Sequence, residues 1–144
     1  GAATTMVEIS PEMCTYARRR VKQVYCADYL EWISPIPGRY TLIVMRALLH
    51  LYDRPSANRM LHKAAEMGNY LYVSTSIHPQ HEEIVEDKIG YLKPAARFRV
   101  KFTRESFRVL LAEAGWEQIL SIDADDPRGR QHRSWTNLLL KRKF

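Results

Sequence analysis

Short apolar runs alternate with amphipathic stretches along this chain, an order that predicts an α/β fold. Residues 4–9 (TTMVEI) read as a strand. Ser10 then offers a helix N-cap, Pro11 suits the first helical position and Glu12 the positive end of the helix dipole, so a helix is expected from there to about Lys22. Residues 24–27 predict a second short strand, and 32–39, holding Pro35, Pro37 and Gly38, a loop. Residues 40–45 (YTLIVM) are apolar without alternation, as for a strand covered on both faces of a parallel sheet.

Residues 54–67 predict a helix with Met60, Leu61, Ala64, Ala65 and Met67 near one face and Gly68 as its cap. Residues 70–75 (YLYVST) form the next expected strand. The stretch 76–101 is polar and holds Pro79, Gly90 and Pro94; one helix is expected around 80–88. An interval of that length between a strand and a helix reads as a lid or binding insertion, here over 76–102. Thr103 caps a helix over 103–114, in which Phe107, Leu110, Leu111 and Ala114 follow helical spacing, and Gly115 stops it. Residues 116–122 and 134–140 predict two strands joined by a polar turn region, 123–133, most simply an antiparallel pair at a sheet edge. The fold class expected is α/β: a mostly parallel, Rossmann-like sheet with helices on both faces and an antiparallel C-terminal edge strand.

Composition narrows the picture. With 144 residues, 46% of them hydrophobic, the sequence suits one domain, while 6 Gly, 7 Pro and 2 Cys exclude a collagen-like, disordered or disulfide-packed chain. No apolar run approaches the ~20 residues of a membrane span. The longest, 41–51, is interrupted by Arg46 and His50. Cys14 and Cys26 match no zinc spacing, so an intracellular, cytoplasmic or organelle-matrix setting is expected. The net charge of +6 favours anionic partners, nucleic acid among them. Its clusters, at Arg18–Lys22, Arg128–Arg133 and Lys141–Lys143, lack the interleaved aromatics of a single-strand stacking surface and also suit solvated faces.

Several segments, in order, resemble the class I S-adenosylmethionine-dependent methyltransferases. Met6-Val7-Glu8-Ile9-Ser10-Pro11-Glu12-Met13 with Tyr16-Ala17-Arg18-Arg19 is similar to that family's second strand and helix. Cys26-Ala27-Asp28-Tyr29 resembles the segment after its third strand. Tyr40–Met45 with Arg46-Ala47-Leu48-Leu49-His50-Leu51 resembles its fourth strand and the segment that follows. Phe102–Phe107 with Leu110–Trp116 resembles its late helix and sixth strand. The resemblance implies S-adenosyl-L-methionine as cofactor, with Glu8 on the ribose hydroxyls and Asp28 on the adenine amino group. Glu8, Ile9, Asp28, Tyr29, Met45 and Arg46 would then line the cofactor side. Physical logic runs the same way, because ligands of open parallel sheets sit at the carboxyl ends of strands, and an acid there can accept both hydroxyls of a diol. Read by themselves, Glu8 and Asp28 are equally acids of a helix start and a turn.

The resemblance also implies a first strand and glycine-rich loop before residue 4, and no glycine-rich loop occurs in these 144 residues. Three explanations stand: a piece of a longer chain, a second polypeptide supplying the strand, or a degenerate relative in a larger assembly. Thr41 departs from the acid that many relatives carry on entering the fourth strand.

Among other candidate chemistry, His50 after the fourth strand could deprotonate an acceptor, or simply pack at a helix start. His78, His81 and Glu82 do not form a zinc pair of the HExxH kind, and no phosphate loop or nucleophile elbow is present. The function expected is methyl transfer to an O, N or C nucleophile of a small molecule or RNA. The alternative is a non-catalytic methyltransferase-like subunit binding RNA or protein.

Overall fold

A computed structural model describes residues 3–35, 39–88, 95–125 and 134–143. The expectations placed on residues 36–38, 89–94 and 126–133, including the basic cluster at 128–133, lie outside these. The chain divides into two compact units, Gly1–Pro37 and Gly38–Phe144.

The first unit is a single βαβ element: β1 (Thr5–Glu8), α1 (Pro11–Ala17) and β2 (Gln23–Cys26). The strands pair in parallel, Thr5 opposite Gln23 and Glu8 opposite Cys26. Ser10 caps α1 as expected, its hydroxyl accepting the Met13 amide at 3.4 Å. The helix ends at Ala17 instead of near Lys22. The amides of Arg20 and Val21 both turn back to the Ala17 carbonyl at 2.9 Å. Arg18, Arg19 and Arg20 offer no apolar face to bury, and Cys14 is the one buried residue of α1, so nothing favours further turns.

The second unit holds β3 (Tyr40–Arg46), α2 (Arg54–Met67), β4 (Gly68–Ile77), β5 (Glu82–Lys88), β6 (Ala95–Lys101), α3 (Arg104–Glu113), β7 (Trp116–Asp125) and β8 (Ser134–Arg142). Its main sheet has the order β3-β4-β8-β7. β3 and β4 are parallel, and β8 runs antiparallel to both β4 and β7. The antiparallel pair expected at this side of the sheet is present; its outer member is β7, and the C-terminal strand lies inside it. The core joins Leu71 and Val73 of β4 and Leu138 and Leu140 of β8 to Met60, Leu61 and Ala64 of α2 and Phe107, Leu110 and Leu111 of α3. Trp116 ties the layers by donating its indole N–H to the Leu61 carbonyl at 3.1 Å. β3 is not covered on both faces: Leu42 and Val44 are 47% and 58% exposed.

Local chemistry explains the helix ends. Thr103 and Ser106 satisfy each other's backbone amides in a capping box, and Gly115 follows α3 at φ 83°. Gly68 caps α2 in extended backbone, where a Cβ would meet Ile43 Cδ1 at 3.0 Å and the Tyr40 carbonyl at 3.1 Å. Close approach of β3, and no positive φ, requires glycine there.

The helix expected around 80–88 is instead the first strand of a hairpin, β5–β6. Ile84 and Val85 favour extended backbone. The acids of β5 face a basic partner strand, with Glu82–Lys101 and Glu86–Arg99 ion pairs at 3.4 Å. The complementarity lies between two distant segments, which a local reading of one of them does not see.

Candidate functional site

Glu8 ends β1, and the ladder continues past it: the Ala27 amide donates to the Glu8 carbonyl at 3.0 Å. Asp28 therefore follows the end of β2 beside the end of β1, and Glu8, Ile9, Asp28 and Tyr29 gather at one end of the parallel pair. Glu8 Oε1 accepts the Ser10 amide at 3.0 Å, and Asp28 Oδ1 accepts the Leu30 amide at 2.9 Å. Each acid thus does the local work of a helix start or turn with one oxygen. Among the described residues, Glu8 Oε2 has no hydrogen-bond partner. Ile9 is 58% exposed beside it. An acid with one oxygen fixed by backbone and the other unengaged is oriented for a hydroxyl donor, which fits the nucleoside part of S-adenosylmethionine.

Two cysteines brace this end. Cys14 is fully buried, and its thiol donates to the Glu8 carbonyl at 3.2 Å. Burial foremost, then the hydrogen bond that the neutral thiol makes with Cys26, pushes the Cys14 thiol up to about 11.

In the second unit, Met45, Arg46 and His50 lie at and just beyond the carboxyl end of β3. Met45 is 3% exposed and its side chain belongs to the core, whereas Arg46 is exposed. His50 sits half-buried in the 3-10 turn Leu49–Leu51, with Nδ1 enclosed. Between Arg46 and that turn, Ala47 adopts φ 51°, the only positive φ at a non-glycine among the described residues. Its amide is held by the carbonyl and hydroxyl of Ser74 at 3.0 and 3.2 Å. Those two contacts hold this sparsely populated backbone conformation in place.

The carboxyl end of β4 carries polar groups that local sequence patterns did not single out. Ser74, Thr75 and Ser76 are buried. Ser76 Oγ lies 3.0 Å from His78 Nε2 and 3.4 Å from Arg99 Nη2, and Arg99 itself is 9% exposed. The hairpin brings Arg99 here, anchored where the His78 amide donates to the Phe102 carbonyl at 2.8 Å. The signal available in sequence was a basic residue at alternating positions in β6, meaningful only once that strand is paired. His81 does separate work, with Nδ1 2.9 Å from Ser106 Oγ and its ring edge-on to Phe102.

A groove of about 600 Å³ lies at the other end of these strands, lined in part by Arg39, Glu66, Glu113 and Arg142. Arg39 and Arg142 both donate to the Ala65 carbonyl, at 2.8 and 3.0 Å, closing the last turn of α2. Those cations are spent on the helix end. Among the described residues no group of three His, Cys, Asp or Glu side chains could hold a metal ion, and no helix is long and apolar enough to cross a membrane.

No protein-family profile matches this sequence, and no curated protein is similar to it. Solved structures are. A 1,6-didemethyltoxoflavin-N1-methyltransferase of Burkholderia thailandensis, solved with 1,6-didemethyltoxoflavin and S-adenosylhomocysteine, superposes with a TM-score of 0.74 at 15% identity over 100% of this chain and 63% of its own. A methyltransferase of Clostridium acetobutylicum gives 0.68 at 10% identity, over 98% of this chain and 76% of its own. The magnesium protoporphyrin IX methyltransferase of Synechocystis, with bound S-adenosylmethionine, gives 0.65 at 16% identity, over 99% and 60%. This chain thus spans less than two thirds of the length of two of these three. The fold of this chain is that of the S-adenosylmethionine-dependent methyltransferases.

Proposed function

We propose that this chain binds S-adenosylmethionine and takes part in transferring its methyl group to a small-molecule acceptor. The observation that carries the reading is the placement of Glu8 and Asp28 at adjoining ends of two parallel strands, with Glu8 Oε2 unengaged among the described residues. Glu8 would hold the ribose hydroxyls, Asp28 with Tyr29 the adenine, and Ile9 an apolar contact. When bound, the cofactor supplies an electrophilic methyl group on sulfur. Alignment of the attacking atom is then the main requirement, and His50 is the group we assign to removing an acceptor proton.

The hairpin β5–β6, within the stretch 76–102, would cover the acceptor. That the solved relatives named above include enzymes of a toxoflavin precursor and of a porphyrin supports a small-molecule acceptor over RNA. In this reading the strand that the sequence resemblance expects before β1 contributes a glycine-rich loop to the same cleft, from this polypeptide or a second chain. An intracellular setting belongs to the same proposal.

Isothermal titration with S-adenosylhomocysteine tests it. Saturable binding is expected, weakened by more than about tenfold in Glu8→Ala, as for a lost hydrogen bond to a charged group. Absence of binding, or binding indifferent to Glu8, overturns the reading. RNA binding whose log affinity falls linearly with log salt, without cofactor binding, would instead support a non-catalytic subunit.

A further inference from the structure

Arg99 is 9% exposed, and an arginine that deep in a fold is ordinarily well paired. This one is not. Its Nε has no partner among the described residues, and its other contacts are long, 3.4 Å from Nη1 to Glu86 Oε1 and 3.4 Å from Nη2 to Ser76 Oγ. The hairpin register explains the deficit. Lys101, Arg99 and Arg97 of β6 lie opposite Glu82, Ile84 and Glu86 of β5. Arg99 thus faces an apolar residue and reaches diagonally for the acid set against Arg97. Over this span one cation is in excess.

The place matters as much as the charge. Ser76 is buried at the carboxyl end of β4, and β6 packs against the turn Leu49–Leu51, which carries His50 beyond the end of β3. Ligands of open sheets bind at these ends. We propose that Arg99 binds a carboxylate of the methyl acceptor, an inference that rests on the function proposed above and names the acceptor's class. Nε and Nη2 form one edge of the guanidinium fork, the shape that a carboxylate meets with two parallel hydrogen bonds. A carboxylate brings a single charge to a single excess cation, whereas a phosphate monoester brings nearly two. Glu86 stays on Nη1 and shares the charge from there. Nε is enclosed, so entry requires β5–β6 to give locally, and a two-stranded hairpin is the least robust kind of sheet.

NMR of the uniformly ¹⁵N-labelled chain at pH 7 tests this, with Arg99→Lys identifying the Arg99 Nε–H signal. Benzoate is the probe and benzamide its neutral counterpart. Benzoate is expected to shift the Arg99 signal saturably, and benzamide to leave it in place. Followed on the backbone amides, benzoate affinity should fall by about tenfold or more in Arg99→Met. It should rise by about threefold in Glu86→Gln, where the guanidinium charge is no longer shared. A signal that benzoate leaves unmoved, as when a buried water fills the place, overturns the proposal. So does an equal response to benzamide, tighter binding of inorganic phosphate, or an affinity unchanged in Arg99→Met. The wild-type signal and Glu86→Gln decide the matter even if Arg99→Met fails to fold. Titrating the same sample with S-adenosylhomocysteine separates the two claims. Benzoate binding alone keeps the carboxylate site and removes methyl transfer, and S-adenosylhomocysteine binding alone removes only the carboxylate.

Discussion

Ser10 gives its amide to the Glu8 carboxylate at 3.0 Å, so the acid that ends β1 also starts α1. One carboxylate oxygen serves the helix start and the other is the one we propose for the ribose, so the two can be separated by substitution. Glu8→Gln retains an oxygen for Ser10 and is expected to melt close to the wild type. It loses the charge that strengthens a diol contact, and its affinity for S-adenosylhomocysteine should fall by roughly tenfold or more. Glu8→Ala should lose affinity and thermal stability together. Differential scanning fluorimetry beside calorimetric titration distinguishes the cases, and equal affinities for the Glu8→Gln variant and the wild-type protein would remove Glu8 from the cofactor site.

Ala47 and Gly115 form a reciprocal pair for stability. Ala47 stands at φ 51° and Gly115 at φ 83°, with nothing within 4 Å of a Cβ built on the latter. Ala47→Gly is expected to raise stability by about 0.5–1 kcal/mol by removing left-handed strain. Gly115→Ala is expected to lower it by about 1 kcal/mol through strain alone, since no clash occurs. Urea unfolding of both variants gives the signs.

The two thiols should differ sharply in reactivity. Cys26 is exposed, and Cys14 is buried with its thiol pushed up to about 11. A disulfide reagent at pH 8 should modify one thiol per folded chain, assigned to Cys26 by peptide mapping, and the second only after unfolding. Rapid modification of both in the native state would contradict the packing of α1 on β2.

Acid should weaken the second unit through two carboxylates. Asp53 accepts the Ser56 amide at the start of α2, and that bond holds its carboxyl below the ordinary carboxylate value. Asp123 is held low chiefly by its hydrogen bond to Arg104. A depressed native value means stabilisation that is complete above the unfolded value, near pH 4, and lost as pH falls through the folded one. Melting temperature should therefore drop on acidification below about pH 4, and less steeply in Asp53→Asn and Asp123→Asn. A drop of equal steepness in the variants would place the acid sensitivity elsewhere.

Where sequence and structure agree, the information was local. α2 spans Arg54–Met67 as its apolar spacing predicts, and Thr103 and Gly115 bound α3 because a cap and a left-handed stop are written in single residues. The strand ends that carry Glu8 and Asp28 were legible for the same reason. What escaped depended on partners far along the chain. The segment Glu82–Lys88 is a strand because Arg97, Arg99 and Lys101 face it, and Ser76 with His78 becomes a polar cluster only when the hairpin delivers Arg99. Ala47 gave no warning either, since its backbone is set by Ser74, twenty-seven positions on.

The placement of β8 between β4 and β7 carries a consequence for biosynthesis. Among the described residues β7 has no ladder partner except β8, which the ribosome makes after it. During translation Trp116–Asp125 must therefore emerge with both of its ladder edges bare. β3 and β4 can already pair at that stage, being complete and adjacent. The nascent chain thus holds half a sheet and an unpaired ribbon until β8 slides in, and that interval is when a holdase would have most to do.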